Sequence, residues 1–147
     1  MSLDQLGSAT TPVLATVSLT GELHDSAAAR LLRWCEARLH LHDTGDAPIS
    51  HLMIDLGHVR HADLSAVAIL DHARTEAERR RVGISLIGAG QLMATAAPQV
   101  RHRLGRWRSF PTLDVARAVL HPTGAAAGRG PVDPDAIVVL PNPHDRL

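Results

Sequence analysis

HLMIDLGHVRHADLSAVAIL, residues 51–70, decides the reading of the chain. Leu52, Ile54 and Leu56 alternate at a period of two, which predicts a short strand. Gly57 to His61 follows as a polar turn. Asp63 then opens a segment rich in Ala and Leu, which predicts a helix from about Leu64 to Arg81. A strand, a loop and a helix N-terminus thus lie within one short stretch. Such junctions present backbone N–H groups and side chains at the end of a sheet, where ligands and partners commonly bind. Asp63 and Ser65 stand at this junction and are the first candidate functional residues.

Upstream, Val13, Ala15, Val17 and Leu19 point one way and Leu14, Thr16 and Ser18 the other, the pattern of a strand with one fully buried face. Residues 1–12 are polar and carry a weak signal for a short edge strand. Gly21 breaks the run, and GELHD leads into a helix expected from about Ser26 to His42, with Asp25 or Ser26 as its cap. Ala28, Leu31, Leu32, Cys35 and Leu39 form one apolar stripe along it. Cys35 therefore reads as a core thiol, not as a nucleophile.

Downstream, Ala66, Ile69, Leu70, Ala73 and Ala77 make the inner side of the second helix, small enough to let it approach a sheet closely. Ile84 to Ile87 predicts the next strand. Connections of helix length between strands favour parallel pairing by right-handed crossovers. A helical segment from about Gln91 to Leu104 is interrupted near Pro98. RWRSF, residues 106–110, fits a short last strand or an extended link. Leu113, Ala116, Val119 and Leu120 mark a final short helix. Five of the nine prolines fall after residue 120, so residues 121–147 read as a Pro/Gly-rich flexible tail behind a domain of residues 1–120. AIVVL, residues 136–140, is the exception, a strand or docking segment set against the plainer reading of a partly ordered terminus.

Composition narrows the function. Fifteen basic residues balance fifteen acidic ones, which argues against a nucleic-acid partner. The aromatics are Trp34, Trp107 and Phe110, too few for a stacking platform. No apolar run is long enough to cross a membrane, and the start of the chain lacks the basic residues of a secretory signal. The single cysteine suits a reducing, cytoplasmic setting. Ten histidines include His51, His58, His61 and His72, but no zinc spacing is present, so a histidine-rich surface is expected and no metal. The GAG of residues 88–90 lacks the third glycine of a dinucleotide fingerprint, and no other cofactor motif is visible. Arg101, His102, Arg103, Arg106 and Arg108 surround Trp107 as a basic patch, read as a solvated face or protein contact. No nucleophile–base pair appears, so no enzymatic activity is expected.

Four segments, VSLTGELH (17–24), LMIDLGHVRHADLSAVAILDHA (52–73), GISLIGA (83–89) and FPTLDVARAVL (110–120), resemble in order and spacing the STAS domain of bacterial anti-sigma factor antagonists. The resemblance implies a small α/β fold, a four- or five-stranded mixed sheet with helices mainly on one face. It also implies a protein-interaction module in the cytoplasm, binding an anti-sigma factor or kinase-like protein in transcription or stress signalling, with a homodimer as a further candidate assembly. The alternative is a scaffold or sensor module of the same fold in a stress-signalling or transport-associated complex.

The resemblance also places the partner-binding residues: His24, Asp25, His61, Asp63, Leu64 and Ser65. Family members carry G-E-L-D after the early strand and D-S-S-G or D-S-T-G at the head of the second helix, and the first Ser after the Asp is phosphorylated. Here the corresponding residues are Gly21, Glu22, Leu23 and His24, then Asp63, Leu64, Ser65 and Ala66. Leu64 cannot accept phosphate, so the usual switch is not expected. Ser65, one position along the first turn, is the remaining candidate phosphosite, weighed against simple surface exposure. Asp63 is expected to cap the helix through its side chain.

Overall fold

The computed structural model describes residues 13–120 and 137–140. Five strands and five helices lie along them, alternating except for two successive helices before the fourth strand. The elements are β1 (Leu14–Leu23), α1 (Asp25–Thr44), β2 (His51–Ala62), α2 (Leu64–Arg79), β3 (Gly83–Ile87), α3 (Gly90–Thr95), α4 (Pro98–Leu104), β4 (Ser109–Phe110), α5 (Leu113–Leu120) and β5 (Ile137–Leu140). The strands form a single sheet in the order β4-β3-β2-β1-β5. All four described pairings are parallel, because the first four strands are joined through helices. The α/β sheet expected from the sequence is therefore present, and its described part is parallel. Residues 1–12, with their weak signal for a short edge strand, lie outside the described residues.

The period-two pattern separates two faces. Ala15, Val17, Leu19, Leu52, Ile54, Leu56, Ile84 and Leu86 face the main core. There they meet the stripe Ala27, Ala28, Leu31, Cys35 and Leu39 of α1 and the stripe Ala66, Val67, Leu70, Ala73 and Ala77 of α2. Leu92, Val100, Leu104 and Trp107 extend this core under α3 and α4. The opposite face carries a smaller cluster, in which Met53, Ile87 and Phe110 pack with Ala116 of α5. Helices thus lie mainly, but not wholly, on one side.

Three local outcomes differ from the sequence reading. First, β2 does not end at Leu56. It continues through His58 to Ala62, pairing with Thr20 to Leu23 of β1. Val59 and Ala62 are buried and hold the extension down, while His58, Arg60 and His61 turn outward. β1 follows with two irregularities of register, and Gly21 between them takes a φ of 90°, which a β-carbon would strain. Second, α1 begins at Asp25 with His24 in the capping position and no side-chain cap, so neither Asp25 nor Ser26 caps it. Its far end closes on Gly45, left-handed at φ 82°, whose N–H donates to the His42 carbonyl at 3.1 Å. Third, residues 137–140 join the sheet, in register with Thr16 to Leu19 at the outer edge of β1. The rest of the segment read as a tail, 121–136 and 141–147, lies outside the described residues.

Candidate functional site

β1 and β2 end side by side, with Leu23 opposite Ala62. Both residues are buried, and the Asp63 N–H donates to the Leu23 carbonyl at 3.1 Å. The next residue on each chain is therefore forced to be a neighbour: His24 before α1 and Asp63 before α2. Their side chains meet, His24 Nδ1 lying 3.0 Å from Asp63 Oδ2. The other ring nitrogen of His24 lies 2.8 Å from Glu22 Oε1. Asp63 Oδ1 is taken by His61 Nε2, also at 3.0 Å. One carboxylate is thus held between two imidazoles, and a second carboxylate holds the first imidazole from the other side.

This arrangement overturns the expected cap. Asp63 occupies the capping position of α2, but its side chain makes no cap hydrogen bond. Both its oxygens face the histidines instead. The electrostatics follow. The hydrogen bond to Asp63 raises the His24 imidazole above its ordinary 6.5, with Glu22 adding to the effect and burial opposing it. The hydrogen bond to His24, and then that to His61, holds Asp63 below its ordinary 3.8. The aspartate of the G-E-L-D form would place a second carboxylate beside Asp63 here. Histidine at position 24 turns that repulsion into an attraction.

One step further along the two helices, the Ser65 hydroxyl donates to Asp25 Oδ1 at 2.6 Å, joining α2 to α1. The structure therefore brings Asp25 and Ser65 together, and His24, His61 and Asp63 together, at one end of the sheet. Leu64 lies between Asp63 and Ser65 in sequence and is 43% exposed. Sequence reading missed Glu22. The cue was the G-E-L-H order itself, since residues two apart on extended backbone, as Glu22 and His24 are, point the same way.

Other candidates fall elsewhere. Cys35 is fully buried, and desolvation, with Glu36 as a lesser cause, pushes its thiol up to about 12, so it is a core side chain. Among the described residues, no three His, Cys, Asp or Glu side chains converge as metal ligands. No described helix is long and apolar enough to cross a membrane. Beside the His–Asp cluster, the β2 extension and α3 bound an open hollow of about 1140 Å³, lined by Thr20, His58, Arg60, Gln91 and Thr95 among others. Reading residues 57–61 as a turn concealed this wall. The junction offers side-chain hydrogen bonds and one exposed leucine.

Comparison with known proteins agrees with this fold. The profile of a family described as "Mlab, STAS domain" matches residues 6–101, more than half of the chain. Among solved structures, the STAS domain of a SulP transporter from Vibrio cholerae superposes with a TM-score of 0.53 at 19% identity, over 84% of this chain and 94% of that one. At that identity the likeness is one of fold. No curated protein matches the chain significantly.

Proposed function

The chain belongs to the STAS domain family, and from that membership we propose that it docks within a transport-associated complex, with Leu64 at the head of α2 as its central contact. A STAS domain is a non-catalytic module that mediates protein interactions. What favours the transport reading is the parent of the solved relative of the same fold, a SulP transporter. The observation that carries the docking surface is Leu64. Single exposed apolar side chains are common and by themselves say little. Leu64 stands out by position, since it occupies the place where antagonists of sigma regulation carry their phosphorylated serine, at the helix head flanked by Asp25, His61, Asp63 and Ser65. A leucine there offers a permanent apolar anchor in place of a switchable hydroxyl. The rim of paired charges around it supplies orientation, as rims do in protein interfaces.

The antagonist reading requires a kinase-like partner and an acceptor hydroxyl. Ser65 is poorly suited to that role. Its hydroxyl is engaged by Asp25 at 2.6 Å, and a phosphate there would set two negative charges against a carboxylate. A photo-crosslinking amino acid at position 64, introduced into the full chain in its source cell, separates the readings. Crosslinking to a subunit of a membrane transport complex is the expected result. Crosslinking to a kinase-fold anti-sigma factor, together with phosphate on Ser65 after incubation with that factor and ATP, would overturn it.

A further inference from the structure

The open edges of the sheet are built differently. β4 is two residues long, Ser109–Phe110. Arg106 and Arg108 precede it, and the Arg108 guanidinium lies 5.1 Å over the Phe110 ring, so positive charge stands beside that edge. A second open stretch lies past Leu19 of β1 and Asp55 of β2, where β5 and β3 have stopped. There the register between β1 and β2 breaks twice, and the Gly57 N–H donates to Asp55 Oδ1 at 2.8 Å. Glu22, His58 and Arg60 bring polar side chains to it, and α3 stands alongside β2. Shortness, irregular register, charge and a covering helix are the means by which sheets keep their edges from joining others.

The outer edge of β5 carries none of them. β5 pairs with β1 from Thr16↔Ile137 to Leu19↔Leu140 without a break in register, and no described strand lies on its other side. Successive residues of a strand turn their backbone N–H and C=O groups to alternate sides, so half of the β5 groups point away from β1. Ile137, Val138, Val139 and Leu140 bear no charge, and the first three are β-branched, which suits extended backbone. Pro134 and Pro141 lie outside the strand and limit its length without blocking it.

We infer that β5 is a dimerisation edge, at which a second copy of this chain adds its own β5 in antiparallel pairing and the two sheets become one. The occupant is a second copy because the edge is its own complement. A two-fold axis normal to the sheet sets the strand antiparallel to its copy and keeps the two faces of the sheet continuous, so each outward N–H meets a carbonyl. With all four residues overlapped, Ile137 stands opposite Leu140 and Val138 opposite Val139 across the axis. Pairing over so short a strand makes a small interface and therefore a weak, concentration-dependent dimer. It leaves the docking surface at Leu64, on the head of α2, uncovered and is independent of it.

Sedimentation equilibrium of the full chain, with amide hydrogen exchange on the same samples, tests the inference. The mean mass should rise from one chain toward two between about 10 μM and about 1 mM, the range of a weak dimer. Over that range the amides of residues 137–140 that point away from β1 should gain protection. Exchange in the unsubstituted chain keeps the test decisive should a variant misfold. Ile137→Lys/Val139→Lys places charge on the edge and should weaken the dimer at least about tenfold, while Leu64→Ala should leave it unchanged. A single-chain mass throughout overturns the inference, including the case in which the outward amides are protected at every concentration by the chain itself. So does a dimer whose formation leaves all the β5 amides unaltered, one of undiminished affinity in a folded lysine double variant, or one abolished by Leu64→Ala.

Discussion

His24 is the residue on which the electrostatics of the junction turn. Its folded-state affinity for a proton is raised, so its contribution to stability is complete below its ordinary 6.5 and is lost as pH rises through the folded value. Asp63 is shifted the other way. Its contribution is present above its ordinary 3.8 and is lost as pH falls through the lowered folded value. The pair is therefore strongest between these two ordinary values, in mildly acidic solution. The unfolding midpoint should decline from about pH 6 to about pH 8 as the imidazole loses its proton. His24→Gln should flatten that limb, because an amide keeps a hydrogen bond to Asp63 but does not titrate. Scanning calorimetry across this range checks it, and an equally steep limb in the variant would assign the titration to another histidine. The side chains are well exposed, so the effect is one of slope, screened by salt. None of this pairing was legible from His24 or Asp63 alone. Asp63 looked like a helix cap and His24 like a replacement for the aspartate of G-E-L-D, and only the register of Leu23 against Ala62 makes them neighbours.

At the scale of elements, what could be read from sequence was what local periodicity encodes. Alternation at Ala15, Val17 and Leu19, and at Leu52, Ile54 and Leu56, located two strands; the stripes containing Leu31 and Cys35, and Leu70 and Ala73, located the long helices. Val17, Ile54 and Ile84 are buried as that register requires. The losses have physical causes. The β2 extension breaks its alternation at Gly57 and places two exposed residues on either side of Val59, so tertiary pairing with β1 decides it. β5 spans four residues in a stretch where proline and glycine dominate, too short for a period to declare itself. α2 carries a sharper prediction. Ala66, Ala73 and Ala77 are fully buried and keep the helix close to its neighbours. Ala73→Leu should cost about 1–3 kcal/mol through overpacking. Arg79→Ala should cost under about 0.5 kcal/mol, since that side chain pairs with Glu76 at the surface. Chemical denaturation of both variants measures the contrast, and equal midpoints would mean that α2 does not sit tightly.

In the whole molecule, the strand order sets how much each part depends on the last few described residues. β5 covers the outer edge of β1, beside Thr16 to Leu19, a stretch buried on both faces. Among the residues whose burial is described, those of the main core, from Ala15 to Trp107, lie before residue 120, and so do those of the smaller cluster built on Met53 and Ala116. A chain cut after Leu120 therefore keeps these residues of both clusters and all described pairing from β1 to β4. It should retain a cooperative thermal transition, at a lower midpoint than the full chain. The cut also removes the only described strand on the outer side of β1 and leaves its backbone groups open along a buried-type, apolar edge. Such edges recruit other strands, so the truncated chain should self-associate with rising concentration where the full chain does so less. Cys35 supplies an internal probe, because its thiol is fully buried and reacts only when the domain opens. Calorimetry, sedimentation at several concentrations and thiol labelling of the 1–120 chain together check the argument. A protected thiol and a lowered, concentration-dependent transition are the expected result. Rapid labelling with no transition would make β5 indispensable to the core, and a monomer as stable as the full chain would show that β5 contributes nothing to it.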